Sequence, residues 1–125
     1  ILFSMCILEE MQWKRTRYIT SADFFHGTLE LVEPGVPVFL FMGEDECRKL
    51  DERVRAFLTR GVTGDTDINI IDTAEFAIPG LDDEFRVIVS PWILSSLVTD
   101  RLAAYYETVT KHNLKYRRYY HQFDY

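Results

Sequence analysis

The chain has 125 residues, of which 47% are hydrophobic and 27% charged, a composition typical of one ordinary globular domain. Its 14 Lys and Arg against 20 Asp and Glu leave a net charge of -6, which argues against nucleic acid or an anionic membrane as partner. The apolar runs are too short and interrupted for a bilayer, which takes about 20 apolar residues. Two cysteines, Cys6 and Cys47, fit a reduced cytoplasmic protein better than a disulfide framework.

Residues 1–14 are predicted to form a buried helix, because apolar side chains cover nearly its whole helical wheel. A helix without a polar face needs neighbours on several sides, and no capping residue precedes Ile1. We therefore expect the chain to be a piece of a longer protein.

The next segment predicts a short helix followed by a strand. A helix of one or two turns within residues 18–32 is expected to end at Glu33-Pro34-Gly35. The continuous apolar run from Val36 to Met42 is typical of a strand covered on both faces, as in a parallel sheet.

A helix is predicted over residues 44–60, ended by Gly61, and a second strand at Ile68 to Ile71. The first turn of this helix is expected to hold Glu44, Asp45 and Glu46, and its apolar stripe Cys47, Leu50, Val54, Phe57 and Leu58. Strand, helix and strand in this order make a βαβ unit with parallel strands, so the predicted fold class is α/β.

The C-terminal part is predicted to be helical and then aromatic. Residues 72–84 read as irregular, and residues 85–112 as two helices with a break near Thr99-Asp100, although the part before Pro91 fits a strand as well. The tail, residues 113–125, is rich in Arg and aromatic residues, and we expect its rings to pack on the body and its Arg residues to pair with acids.

Glu9 and Glu10 are the charged residues that interrupt the apolar helix, and two interpretations are open. In one, a carboxylate faces water and pairs with Lys14, four residues after Glu10, without further role. In the other, a carboxylate lies against apolar surroundings, where burial raises a carboxyl pKa and lets the group take and return a proton.

His26 is the second candidate for proton transfer, because an imidazole has an ordinary pKa of about 6.5. Gly27 is expected to permit close backbone approach beside it; the alternative is that His26 caps a local turn. His112 and His121 lack such a setting and are expected to be surface residues. The Cys and His spacing predicts no metal site.

The tail offers cations to an anionic ligand. Lys115 to Tyr120 alternates basic and aromatic residues, as single-stranded nucleic-acid binders do, but the acidic net charge disfavours that partner. Binding of an anion by the tail stays open beside the pairing of its Arg residues with acids, because Arg suits bidentate recognition of phosphate and carboxylate. The residues expected to bind substrate in that case are Arg117, Arg118 and Tyr119.

Three segments together resemble the sugar isomerase (SIS) domain family: Glu10-Met11-Gln12-Trp13, Ser21 to Glu30, and Arg117-Arg118-Tyr119-Tyr120. Within that family the sequence is most similar to fructosamine-6-phosphate deglycases of the fructoselysine and fructose-asparagine types. The likeness covers almost the whole chain. It departs from the family where Ala22-Asp23-Phe24 replaces Gly-Glu-Phe and where Thr28 replaces the Pro of His-Gly-Pro.

The resemblance implies a three-layer, doubly wound parallel sheet of SIS type, incomplete here, with residues 1–125 forming the C-terminal part of the second of two SIS domains. It implies that Glu10 is the general base and acid acting on the sugar's C1–C2 unit. It also implies that His26 reaches the active site of a neighbouring subunit and assists ring opening or proton transfer at the sugar oxygens there. The expected assembly is therefore a cytoplasmic homodimer with shared active sites. No metal or organic cofactor is expected.

The implied reaction converts a fructosamine 6-phosphate, a sugar phosphate linked to an amino acid, to glucose 6-phosphate and free amino acid. A phosphosugar aldose–ketose isomerase or an amino-sugar-phosphate deaminase would share the same proton transfers. A non-catalytic module that senses sugar phosphate is an alternative of another class. Since the family's phosphate loop lies in the first SIS domain, this chain alone is expected to lack a complete active site.

Overall fold

The structure, a computed structural model, describes residues 1–61 and 63–124, which divide into two compact units. Unit 1 consists of Ile1–Tyr18 with Leu94–Tyr125, and unit 2 is Ile19–Ile93. Unit 1 brings together residues from both ends of the chain.

Unit 2 contains the predicted βαβ unit. Strand β1 (Val38–Met42) is followed by helix α1 (Arg48–Leu58) and strand β2 (Ile68–Asp72). The strands pair in parallel, in a register that places Val38 opposite Ile68 and Met42 opposite Asp72. The α/β prediction and both strands are therefore confirmed, each strand within two residues of its predicted bounds.

The core of unit 2 lies between β1 and α1. From β1, Leu40 and Met42 are buried, whereas Phe39 and Phe41 are half-buried and their rings stack on the other face. The remaining buried residues of this core are Phe24, Val54 and Leu58. Val54, Phe57 and Leu58 of the predicted stripe thus pack in this core, whereas Leu50 is half-buried and Cys47 precedes the helix and is exposed.

Helix α1 begins four residues later than predicted. Residues 44–47 form a bend and a turn, in which the Asp45 side chain accepts a hydrogen bond from the Cys47 backbone N–H. The three acids expected in the first turn therefore lie before the helix, and its first-turn acid is Asp51. Local side-chain bonds of this kind compete with helix formation.

The segment before β1 is tighter than the helix predicted for residues 18–32. It forms two 3-10 helices, Phe24–His26 and Thr28–Leu31, separated by Gly27 at φ 132°. The predicted breaker is confirmed as a turn at Pro34-Gly35, with Gly35 at φ 85°.

The first helix of unit 1 is a π-helix, Phe3–Met11, rather than an α-helix. It ends where the Gln12 N–H donates to the carbonyl of Ile7, five residues back. Burial is confirmed for Phe3 and Ile7, whereas Leu2 and Met5 are exposed.

The C-terminal helical region is continuous in its secondary structure. Helix α2 (Arg86–Ser95) contains Pro91, a π-helical segment covers Ser96–Leu102, and helix α3 (Ala103–Thr110) ends at Lys111 in the left-handed conformation. The strand alternative before Pro91 is wrong. At the predicted break the helix widens into π-helical turns instead of stopping.

One helix, Asp83–Thr110, is long and apolar enough to cross a membrane by length and composition alone. The expectation that every apolar run is too short is therefore wrong on that criterion. One such helix is weak evidence for a membrane span, because core helices of soluble proteins meet the same criterion.

Candidate functional site

Glu10 lies in the last turn of the π-helix and is bound to the C-terminal tail. Its Oε1 forms an ion pair with Arg117 Nε at 2.8 Å, and the side chains of Glu10 and Arg117 are 31% and 18% exposed. Of the two open interpretations, the one that paired Glu10 with Lys14 does not describe the structure, because the helix ends at Met11 and Glu10 pairs with Arg117. The prediction that tail Arg residues pair with acids is confirmed for Arg117.

Arg117 is itself held by the tail backbone. Its Nη1 donates to the carbonyl oxygens of Leu114 and Tyr116, at 2.7 and 2.8 Å. With Nε on Glu10, the guanidinium makes charge-assisted contacts on two of its three nitrogens. The group is therefore fixed in one orientation.

Gln12, two residues after Glu10, is bound to the same tail. Its side chain is buried and donates through Nε2 to the His112 carbonyl at 2.7 Å, while its Oε1 accepts from Thr110 Oγ1 at 2.8 Å. Both polar ends of a buried amide are thus satisfied.

Trp13 lies between two side chains of the tail. Its backbone has φ 55°, its ring contacts the His112 ring edge-on at a centroid distance of 4.3 Å, and the Arg118 guanidinium stacks on it at 4.1 Å. The expectation that His112 is a surface residue is wrong: it is half-buried, and its Nε2 is buried with no hydrogen-bond partner within residues 1–61 and 63–124.

His26 belongs to unit 2, where it is exposed at the end of the first 3-10 helix. Its N–H donates to the Asp23 carbonyl at 2.9 Å, which closes the turn. The preceding residues, Phe24 and Phe25, pack edge-on against Phe57 of α1. The imidazole is therefore presented to solvent on a firmly packed turn.

Gly27 has a different reason for being glycine than the one predicted. No atom lies within 4 Å of where a Cβ would be, so close approach does not require it. Its φ of 132° does, because this conformation is strained for residues with a side chain.

Arg118 and Tyr119 are both exposed. The charge of Arg118 remains accessible beside Trp13, and the Tyr119 ring contacts the Phe123 ring edge-on. The expectation that the tail rings pack on the body is wrong for Tyr119, Tyr120 and Phe123, which are 67%, 48% and 58% exposed. Tyr119 and Tyr120 instead contact rings of the tail itself.

A second charged cluster lies at the carboxyl end of the sheet in unit 2, and the sequence analysis did not identify it. Arg48 donates to both carboxylate oxygens of Asp72, at 2.9 and 2.6 Å, and to the Gly43 carbonyl at 2.8 Å. The side-chain hydrogen bonding between Arg48 and Asp72 lowers the pKa of Asp72 and raises the pKa of Arg48. The available signal was an acid at the end of a strand and an Arg at the start of the connecting helix.

Glu44 and Arg86 form the other pair of this cluster, at 2.6 and 3.0 Å. Arg86 also donates to the carbonyls of Thr73 and Phe76. The hydrogen bond from Arg86 lowers the pKa of Glu44. These charges satisfy one another, which indicates a structural role. Among the described residues no group of three His, Cys, Asp or Glu side chains is arranged to hold a metal ion.

Known proteins resemble this chain in sequence over part of their length. No protein-family model matches it. It is 31% identical over 120 residues to the fructosamine deglycase FrlB of Bacillus subtilis, covering 94% of this chain and 34% of that protein. It is 36% identical over 116 residues to the fructoselysine 6-phosphate deglycase of Escherichia coli, covering 90% of this chain and 31% of the relative.

Solved structures resemble it in fold. A Bacillus subtilis protein described as a phosphosugar isomerase superposes with a TM-score of 0.86 at 30% identity, over 98% of this chain and 36% of that one. One from Salmonella typhimurium with the same description gives 0.83 at 32% identity, over 98% and 36%. The chain spans about a third of these proteins. The resemblance predicted from the sequence is confirmed: the chain is homologous to the fructosamine and fructoselysine 6-phosphate deglycases and has the sugar-isomerase α/β fold.

Proposed function

We propose that the protein containing this chain is a fructosamine-6-phosphate deglycase, which releases a free amino acid and glucose 6-phosphate. The observation that carries the proposal is the similarity to proteins named as such deglycases over 90% or more of the chain. The fixed carboxylate of Glu10 supports it, because the reaction needs one group that removes and returns a proton.

The reaction has three steps. Glu10 removes a proton from C1, and the electron pair forms a C1–C2 double bond while the C2 oxygen takes a proton, giving an enaminol. The protonated Glu10 then returns its proton to C2 as the amine loses one, giving a C1 imine. Water adds to C1, and the C1–N bond breaks to release the amino acid and the aldehyde. Since Arg117 occupies Oε1 of Glu10, we assign the proton transfers to Oε2.

We further propose that His26 acts in the active site of a second copy and protonates the C2 oxygen there. Its exposure on a turn anchored by Phe24 and Phe25 supports this, since such a group is accessible to a partner and also fixed. The expected assembly is a cytoplasmic homodimer with shared active sites.

Arg118 and Tyr119 are proposed to contact the anionic substrate. The Arg118 guanidinium is exposed while stacked on Trp13, so its charge is available to a phosphate or carboxylate from a defined position. Tyr119 adds an exposed hydroxyl next to it in the chain.

A phosphosugar aldose–ketose isomerase is the second candidate, because the two solved structures are described as phosphosugar isomerases. It would use the same carboxylate to move a proton between C1 and C2 without releasing an amine. The two functions differ in their products, so an assay of products separates them.

The test uses the full-length protein with fructoselysine 6-phosphate, and with fructose 6-phosphate and glucosamine 6-phosphate in parallel. We expect amine release from the first substrate, and a loss of about 100-fold or more in kcat for Glu10→Gln, because the amide cannot take the proton. Glu9→Gln is the matched control, since Glu9 lies beside Glu10 and is bound to Thr16. Full activity of Glu10→Gln would refute the assignment, and turnover of fructose 6-phosphate alone would favour the isomerase.

A further inference from the structure

We propose that the C-terminal segment 110–118 is a clamp that positions Glu10, and that Arg117 is its principal positioning residue rather than a substrate ligand. The inference rests on the proposed function for its effect on turnover. It rests on geometry for the clamp itself, because three of the four residues from Glu10 to Trp13 are bound by this segment.

Most of the Arg117 guanidinium is already engaged within the protein. Its Nε pairs with the Glu10 carboxylate, and its Nη1 donates hydrogen bonds to two backbone carbonyls. The side chain is only 18% exposed. A phosphate would have to break these contacts to gain a bidentate grip. The exposed neighbour Arg118 needs no such rearrangement, so the two adjacent Arg residues have different roles.

The residues that follow Glu10 are also held in place. The π-helix ends at Met11, and the backbone N–H groups of Gln12 and Trp13 still donate to the carbonyls of Ile7 and Glu9. Beyond it, the buried Gln12 amide bridges Thr110 and the His112 carbonyl. The backbone that follows Glu10 is therefore held by these last helical hydrogen bonds and by the polar contacts of Gln12 with residues 110–112.

Trp13 completes the clamp. It leaves the helix in the left-handed conformation, with its ring between the His112 ring and the Arg118 guanidinium. Residues 113–118 form turns and irregular structure, so they gain order from these contacts. Loosening one end of the clamp is then expected to loosen residues 9–14 as well.

The test compares Arg117→Gln, Arg117→Lys and Arg118→Gln in the full-length protein. We expect Arg117→Gln to lower kcat about tenfold or more with little change in KM, because a misplaced base slows proton transfer without weakening binding. Arg117→Lys should recover part of the loss, since it keeps the charge but not the planar fork. Arg118→Gln should raise KM, and it should lower kcat less than Arg117→Gln does, because it removes a contact to Trp13 and none to Glu10. A rise in KM with unchanged kcat for Arg117→Gln, or unchanged kinetics, would overturn the proposal.

A second readout does not depend on activity. Amide hydrogen exchange of residues 9–14 should be faster in Arg117→Gln than in the unsubstituted protein, and Arg117→Lys should lie between them. If exchange there is unchanged, the clamp is refuted whatever the kinetics show. If the unsubstituted protein releases no amine but exchange rises, the proposed function fails and the clamp stands.

Discussion

Asp72 illustrates at the residue scale how a charge at the end of a strand stabilises unit 2. Both its oxygens accept hydrogen bonds from Arg48, and Oδ1 also accepts the Ala74 N–H. The carboxyl is 5% exposed, so its removal takes from Arg48 its buried partner and leaves only the more exposed Glu52, at 3.3 Å, as an acidic partner among the described residues. We expect Asp72→Asn to lower the free energy of unfolding by about 2 kcal/mol. The exposed Asp65→Asn is the control, with a change within about 0.5 kcal/mol.

Chemical denaturation of the two variants measures this difference. Equal stability of Asp72→Asn and Asp65→Asn would show that the pair contributes nothing.

The same pairs make stability depend on acid. Arg48 lowers the pKa of Asp72 below its ordinary 3.8, and Arg86 lowers that of Glu44 below 4.5. Each carboxyl therefore releases its proton more readily in the folded state. This stabilisation is complete above pH about 4.5 and is lost as the pH falls through the lowered pKa values.

Thermal unfolding measured between pH 7 and pH 3 should show a fall in Tm that begins below about pH 4.5. The fall should be shallower for Asp72→Asn, which has lost one of the two carboxyls. A Tm that rises on acidification, or equal slopes for both proteins, would contradict this explanation.

The contacts of Glu10 show why a site residue is easier to predict than its environment. Glu10 and His26 were identified from the order of motifs along the chain. One of the two interpretations paired Glu10 with Lys14, because the i, i+4 rule assumes a helix that continues, and this helix ends at Met11. Arg117, at the other end of the chain, follows from the tertiary fold alone.

At the scale of elements, Gly27 determines how the turn that carries His26 is built. Its φ of 132° joins the two 3-10 helices, and a Cβ there would meet open space. The cost of Gly27→Ala is therefore backbone strain alone, which we expect to lower the free energy of unfolding by about 1–2 kcal/mol.

Gly43→Ala is the matched control for this substitution. Gly43 also has nothing within 4 Å of a Cβ, but it does not have the positive φ of Gly27. Denaturation should show a change within about 0.5 kcal/mol for it. Equal effects of the two substitutions would mean that the backbone at Gly27 is not strained by a side chain.

The strands were predicted well because continuous apolar runs between glycine and turn residues have few alternatives. The start of α1 was not predicted well. Residues 44–47, which would have formed its first turn, instead form a hydrogen bond from the Cys47 N–H to the Asp45 side chain and the Arg86–Glu44 pair. The π-helices were not predicted either. Over nine residues, an apolar pattern does not distinguish bonds four residues apart from bonds five apart.

At the scale of the whole molecule, the structure shows two compact units that composition did not predict. Composition carries no information on which distant segments meet, and unit 1 is built from both ends of the chain. Glu10 and Arg117 belong to unit 1 and His26 to unit 2, so each unit holds part of the proposed catalytic machinery. The chain covers about a third of its relatives, which is why the assays specify full-length protein.

The central claim is that Glu10 of one copy and His26 of another act on one substrate. The direct test is to co-express Glu10→Gln and His26→Gln subunits with different affinity tags and to purify the mixed dimers. Each variant alone should be inactive, whereas a mixed dimer has one intact site of two and should show about half of the unsubstituted amine-release activity. Mixed dimers as inactive as either parent would contradict the claim, because the two residues would then have to come from the same copy.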